Sequence, residues 1–156
     1  MIWGLVAAAI ALAADQVSKF YIANEILDGY SEIILAPFFS LVRAWNTGVS
    51  FSLFNDWGKF GVYALSALAA AIVALLLWFM HKEDSKFGRI GFGLIVGGAV
   101  GNIIDRIMFG AVFDFLDFHI GEYHWPAFNL ADTFICVGAM IIFLAEFLKN
   151  RKKEKK

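Results

Sequence analysis

The sequence predicts an all-α membrane protein. It reads as a bundle of four transmembrane helices with a small extracytoplasmic β-like segment over about residues 30–55 and a second outward loop. Three observations carry that reading. Apolar residues make up 60% of the 156 and charged residues only 17%, against roughly 45–50% and about 25% in soluble domains. A soluble domain of this size needs charge to cover its surface, so this composition excludes one. Four stretches are long and apolar enough to cross the hydrocarbon, which takes about 20 helical residues. The basic residues crowd onto one side of those stretches. One domain fills the chain, 1–156.

The spans run over about 2–21, 58–80, 87–108 and 128–148, followed by a basic tail at 149–156. The first holds Ala11-Leu12-Ala13, which resembles a signal-peptide cleavage site, but no Lys or Arg precedes the apolar run. Without a basic n-region, and with three more spans behind it, the segment reads as a retained helix. Between the first two spans, Ile33 to Phe54 is rich in aromatic and β-favouring residues, punctuated by Pro37 and Gly48. That composition predicts a short sheet or extended unit lying against the membrane surface. The tail is the only low-complexity run and is expected on anionic headgroups.

Orientation follows from Lys and Arg. Lys82, Lys86 and Arg89 lie between the second and third spans, and Lys149, Arg151, Lys152, Lys153, Lys155 and Lys156 lie in the tail. Nine of the thirteen basic residues are therefore on one side, which places both termini in the cytoplasm. Trp3, Trp45, Trp57, Trp78 and Trp125 fall near span ends, as an aromatic belt requires.

This topology places four polar clusters in one layer near the outer face. Asp15 and Lys19 end the first span, and Asn102, Asp105 and Arg106 close the third. Asn129 and Asp132 open the fourth, and Asp114 lies in the outward segment between them. Ionisable groups at membrane depth are costly and mark function by default. Each cluster also has a plain structural reading. Asp15 and Lys19 are spaced for an i,i+4 ion pair. Arg106 either anchors at the interface or clamps a carboxylate. Gly93, Gly97 and Gly101 recur every four residues, as in close helix packing, and no strand precedes them to make a dinucleotide fingerprint. His119 and His124, near Asp117 and Glu122, match no zinc signature and read as surface histidines. Cys136 reads as an inert apolar residue within a helix.

Asp114 and Asp132 resist such readings. Asp114 is flanked by Val112, Phe113, Phe115 and Leu116, so its side chain needs a partner. Asp132 lies about one turn into the fourth helix, where free N–H groups favour negative charge. Two carboxylates brought together at this depth would share one proton, which suits activating a water. Spacing alone leaves the pair as one reading among others.

Five motifs then occur in order: Asp15-Gln16-Val17-Ser18-Lys19, Asn46-Thr47-Gly48-Val49-Ser50-Phe51, Gly101-Asn102-Ile103-Ile104-Asp105-Arg106, Val112-Phe113-Asp114-Phe115 and Phe128-Asn129-Leu130-Ala131-Asp132. Together they resemble the lipoprotein signal peptidases (signal peptidase II), over nearly the whole chain. The resemblance implies an aspartyl endopeptidase of the bacterial cytoplasmic (inner) membrane, with its active site near the outer leaflet. Such enzymes remove the signal peptide of a prolipoprotein, cutting just before a cysteine that carries diacylglycerol. Carried over by motif, Asp114 and Asp132 are the catalytic pair. Asp15, Lys19, Asn46, Gly48, Asn102, Asp105, Arg106 and Asn129 bind substrate or support the site. Ser50 departs from the Ala usual in the family at that position, which touches fine substrate contacts rather than activity.

The expected partners are prolipoproteins with a lipid-modified cysteine and membrane lipids, with no nucleic acid, no metal and no cofactor, and the protein is read as a monomer. The rival reading is a small membrane transporter or proton-relay bundle, which would also place Asp and Arg inside spans. Transporters usually build a midplane site from repeats or broken helices, whereas these polar groups crowd one face. A third class, a non-catalytic assembly factor, would need none of the carboxylates.

Overall fold

A computed structural model of the protein describes residues 1–48 and 58–154. Val49, Ser50 and Phe51 of the second motif, Phe54, Trp57 and the last two lysines lie outside the described residues. Four helices are long and apolar enough to cross a membrane: α1 (Ile2–Tyr21), α2 (Gly58–Lys82), α3 (Lys86–Phe109) and α4 (Leu130–Glu154). A π-helical turn, Ile22–Ile26, extends α1. The helix of α4 runs on into the basic tail, while its apolar span is Leu130–Lys149.

Helix α3 is central and packs on α1, α4 and α2. Its glycines make that possible. A Cβ at Gly93 or Gly97 would strike the backbone of Gly4 or Ala8 in α1. One at Gly98 would strike the Ala131 carbonyl of α4. Small residues thus let three backbones approach closely, as the four-residue glycine spacing predicts. The buried residues of α1, Gly4, Ala7, Ala11, Asp15 and Lys19, form one stripe facing α3. Apolar side chains such as Ile10, Phe20, Leu75 and Phe143 remain exposed on the outside of the bundle, the surface that lipid would cover.

The expected β-like segment is present, as β1 (Glu32–Ala36) and β2 (Phe39–Asn46). The second outward segment is not the loop that the sequence suggested. It forms β3 (Val112–Ile120) and β4 (Tyr123–His124), giving an antiparallel sheet in the order β1-β2-β3-β4. The reason is physical. Val112 to Ile120 is rich in aromatic and branched residues, and β2 offers it a ladder in which Ala44 pairs with Asp114 and Asn46 with Val112. Leu27, Leu41, Phe113 and Phe115 form the core beneath the sheet. Phe128 bonds back to Leu116, its N–H donating at 3.1 Å and its carbonyl accepting from Leu116 at 2.8 Å. That exchange holds β3 against the start of α4, and the helix proper begins two residues later than expected, at Leu130.

Candidate active site

The site forms where β3 meets the first turn of α4. Asn129 caps that helix. Its Oδ1 accepts the Asp132 N–H at 3.0 Å, and the Asp132 carboxylate accepts the Asn129 N–H at 3.3 Å. This reciprocal capping box fixes the Asp132 side chain at the helix N-terminus. The amide nitrogen of Asn129 reaches the other way, donating to Asp114 Oδ1 at 2.6 Å. The buried Asn129 therefore joins the two carboxylates, reaching Asp114 through its side-chain amide and Asp132 through its backbone N–H.

Asp114 is 3% exposed. Its second oxygen accepts from Asn46 Nδ2 at 3.1 Å. Asn46 is oriented in turn by Gly48, whose N–H donates to Asn46 Oδ1 at 2.8 Å. Gly48 has φ +85°, a conformation that favours glycine. Burial pushes the Asp114 carboxyl up to about 6; the nearby Asp132 charge adds to this, and the bonds from Asn46 and Asn129 oppose it.

Asp132 is held by Asn102, whose Nδ2 donates to its Oδ1 at 2.9 Å. The Asn102 carbonyl oxygen accepts from Lys19 Nζ at 3.1 Å and from Asn129 at 3.2 Å. Lys19 is buried and pairs with both Asp15 and Asp105, each at 2.9 Å. Backbone donors add to this: Asp15 Oδ1 accepts from the Ala131 N–H at 2.9 Å, and Asp105 Oδ2, the oxygen that also faces Lys19, accepts from the Phe113 N–H at 3.1 Å. The Asp15–Lys19–Asp105 triad therefore fastens α1, α3, β3 and α4 together. Lys19 also links it to Asn102, the residue that bonds Asp132.

Arg106 lies within electrostatic reach of the Asp132, Asp114 and Asp105 charges. Its Nη1 donates to the Asn102 backbone carbonyl at 3.3 Å, and its buried Nε has no hydrogen-bond partner among the described residues. Cys136 is exposed on α4.

The structure thus brings Asp114, Asp132, Asn46, Asn102, Asn129, Asp15, Lys19 and Asp105 into one network, with Gly48 and Arg106 adjoining it. Sequence reading missed Gln16. Its Nε2 donates to Asp15 at 3.1 Å and Asp105 at 3.0 Å, bridging α1 to α3. Its position beside Asp15 inside an apolar span was the available signal.

Residues 7–148 match the family model described as signal peptidase (SPase) II. The chain belongs to the signal peptidase II family. It is 41% identical to the lipoprotein signal peptidase of Aeromonas hydrophila over 149 residues, 94% of this chain and 89% of that one. It is 44% identical to that of Oleidesulfovibrio alaskensis over 146 residues, 90% of this chain and 91% of that one. The fold is shared with a bacterial membrane enzyme solved by the in meso method at 2.3 Å, with TM-score 0.79 and 28% identity, covering 98% of this chain and 92% of that one. A second such structure, at 1.9 Å, gives TM-score 0.74 at 28% identity, covering 91% of this chain and 90% of that one. Family, fold and four apolar helices together make this chain a multi-pass bacterial membrane peptidase.

Proposed function

We propose that the protein is an aspartyl endopeptidase that removes signal peptides from diacylglyceryl-modified prolipoproteins, cutting just before the lipidated cysteine. The observation that carries this reading is the pair Asp114 and Asp132, joined through Asn129 and held in unlike environments. Asp132 sits among N–H donors at a helix N-terminus, which suits a charged carboxylate. Asp114 is buried, and its carboxyl holds a proton more readily than a free one. Asp132 then takes a proton from water as it attacks the scissile carbonyl, and Asp114 donates to the developing oxyanion. A proton passes to the leaving amine and the pair returns to its starting state. Arg106 orients the substrate through its planar fork of donors; its charge is too persistent for proton transfer.

The distribution of Lys and Arg supports both termini in the cytoplasm and the site near the outer leaflet. A bond just outside a signal helix would lie at that level, with the acyl chains of the modified cysteine alongside the bundle. The transporter reading has no such support, because the polar network occupies one end of the helices and no midplane site. The working unit is taken as a monomer in contact with lipid, with no cofactor and no nucleic acid.

The test is cleavage by the purified protein of two peptides spanning a prolipoprotein signal region, identical except for diacylglycerol on the cysteine. Mass spectrometry should find a cut immediately before the modified cysteine and little cleavage of the unmodified peptide. Equal cleavage of both peptides, or a cut elsewhere, overturns the proposed substrate class.

A further inference from the structure

Strand β3 carries a second polar cluster. Successive side chains on a strand alternate between faces, so Asp117 and His119 share a face opposite to Asp114. In the β3–β4 hairpin, His119 pairs directly with His124. The two imidazoles stack with ring centroids 4.8 Å apart, and both turn Nδ1 towards Asp117. His124 Nδ1 lies 2.8 and 3.1 Å from the two Asp117 oxygens, and His119 Nδ1 lies 3.2 Å from Oδ2. The reading of both residues as surface histidines therefore fails for His119, whose side chain is 12% exposed; that of His124 is 52% exposed. Zinc-signature spacings describe knuckles and helices, and a hairpin register brings ligands together without them.

We infer that Asp117, His119 and His124 bind a borderline divalent transition-metal ion of the Zn²⁺ type. Two imidazole nitrogens and one carboxylate are the three-ligand set that such ions take, with a fourth position left for water. Bonds of about 2.0–2.2 Å in a tetrahedron put ligand atoms about 3.3–3.6 Å apart, close to the Asp117–imidazole distances of 2.8 and 3.2 Å. All candidate ligand atoms already lie within 4.8 Å of one another. Charge points the same way. Asp117 is buried, and among the described residues its ion-pair partners are these two imidazoles alone. A divalent ion would neutralise this buried carboxylate.

Ser40 supplies an independent observation. It is fully buried and pairs with Asp117 across β2 and β3, so the two side chains share a face. Its Oγ has no hydrogen-bond partner among the described residues. A metal-bound water beside Asp117 would give that hydroxyl its missing partner. The exposed ring of His124 leaves a path from solvent. The ion would close the hairpin that ends β3, on the face away from the carboxylate pair, and so would stiffen the strand without entering the chemistry. Nitrogen ligands favour Zn²⁺, Ni²⁺ and Cu²⁺ over Mg²⁺ and Ca²⁺.

The experiment titrates Zn²⁺ by calorimetry into the full chain, purified without a histidine tag and stripped with chelator, with Mg²⁺ as comparison. Wild type should take up one Zn²⁺ per chain and unfold at a higher temperature with it. His124→Ala and His119→Gln should each weaken binding roughly tenfold or more, the scale on which even partners of a metal ligand act. His81→Ala, at the far end of α2, should bind as wild type does. Cu²⁺ substitution should give an electron paramagnetic resonance spectrum with two coupled nitrogens, falling to one in His124→Ala. The inference is overturned if stripped protein takes up no Zn²⁺, or if affinity is unchanged in His124→Ala, whose exposed side chain makes misfolding no explanation. Peptide cleavage should survive in His124→Ala, so a failure here is separable from a failure of the proposed peptidase chemistry.

Discussion

Both oxygens of Asp114 accept amide donors, from Asn46 and Asn129, and burial still pushes its carboxyl up from 3.8 to about 6. Two consequences follow at this residue. If the proton of Asp114 is donated to the oxyanion, kcat/KM should fall as pH rises through about 6, approaching tenfold per pH unit. A rate profile flat from pH 5 to 8 would contradict that role. The same shift acts on stability. Its value is higher in the folded than in the unfolded chain, so the folded state binds more protons between about 4 and 6, and stability is lost as pH rises through that window. The move from 3.8 to about 6 corresponds to about 3 kcal/mol. Asp114→Asn cannot ionise, so its stability relative to wild type should improve from pH 4.5 to pH 7.5 by up to that amount, seen as a rise in its unfolding temperature relative to wild type. The carboxylates were legible in the sequence because charge in an apolar setting is costly. The double role of Asn129 was not, because nothing in the sequence says that β3 runs beside its cap.

At the scale of elements, Lys19 is the joint between α1 and α3. Its ammonium is buried between two carboxylates at 2.9 Å each. Lys19→Met would leave both charges buried and unpaired, and should cost about 3–5 kcal/mol, visible as a lowered unfolding temperature. Gly97 tests the other half of that contact. A side chain there meets the Ala8 backbone, so Gly97→Leu should force α1 from α3 and yield protein that unfolds at lower temperature, whatever its activity. The four helices were legible from hydropathy, and the glycine spacing foretold their close approach. Strand β3 was read as loop because its partner β2 lies far away in sequence, across α2 and α3. Pairing of that kind leaves no local periodicity. The same blindness hid the Asp117–His119–His124 cluster, which exists only once the hairpin closes.

At the scale of the whole molecule, α1, α3 and α4 bring the residues of the polar network to one end of the bundle, where β2 and β3 meet them. The basic link and tail lie at the other end of the bundle, which supports cytoplasmic termini. A reporter fused after Lys156 should be active only in the cytoplasm; activity only outside it would reverse the proposed orientation. The measurement that bears most directly on the chemistry is cleavage of a purified diacylglyceryl-modified substrate by Asp114→Asn, Asp132→Asn and Cys136→Ala, with a chelator control. The two Asn variants should fold and lose turnover to a similar extent, since the pair acts as a unit. Cys136→Ala and chelated wild type should cleave normally. Cleavage retained by either Asn variant, but stopped by the chelator or by Cys136→Ala, would contradict an aspartyl mechanism.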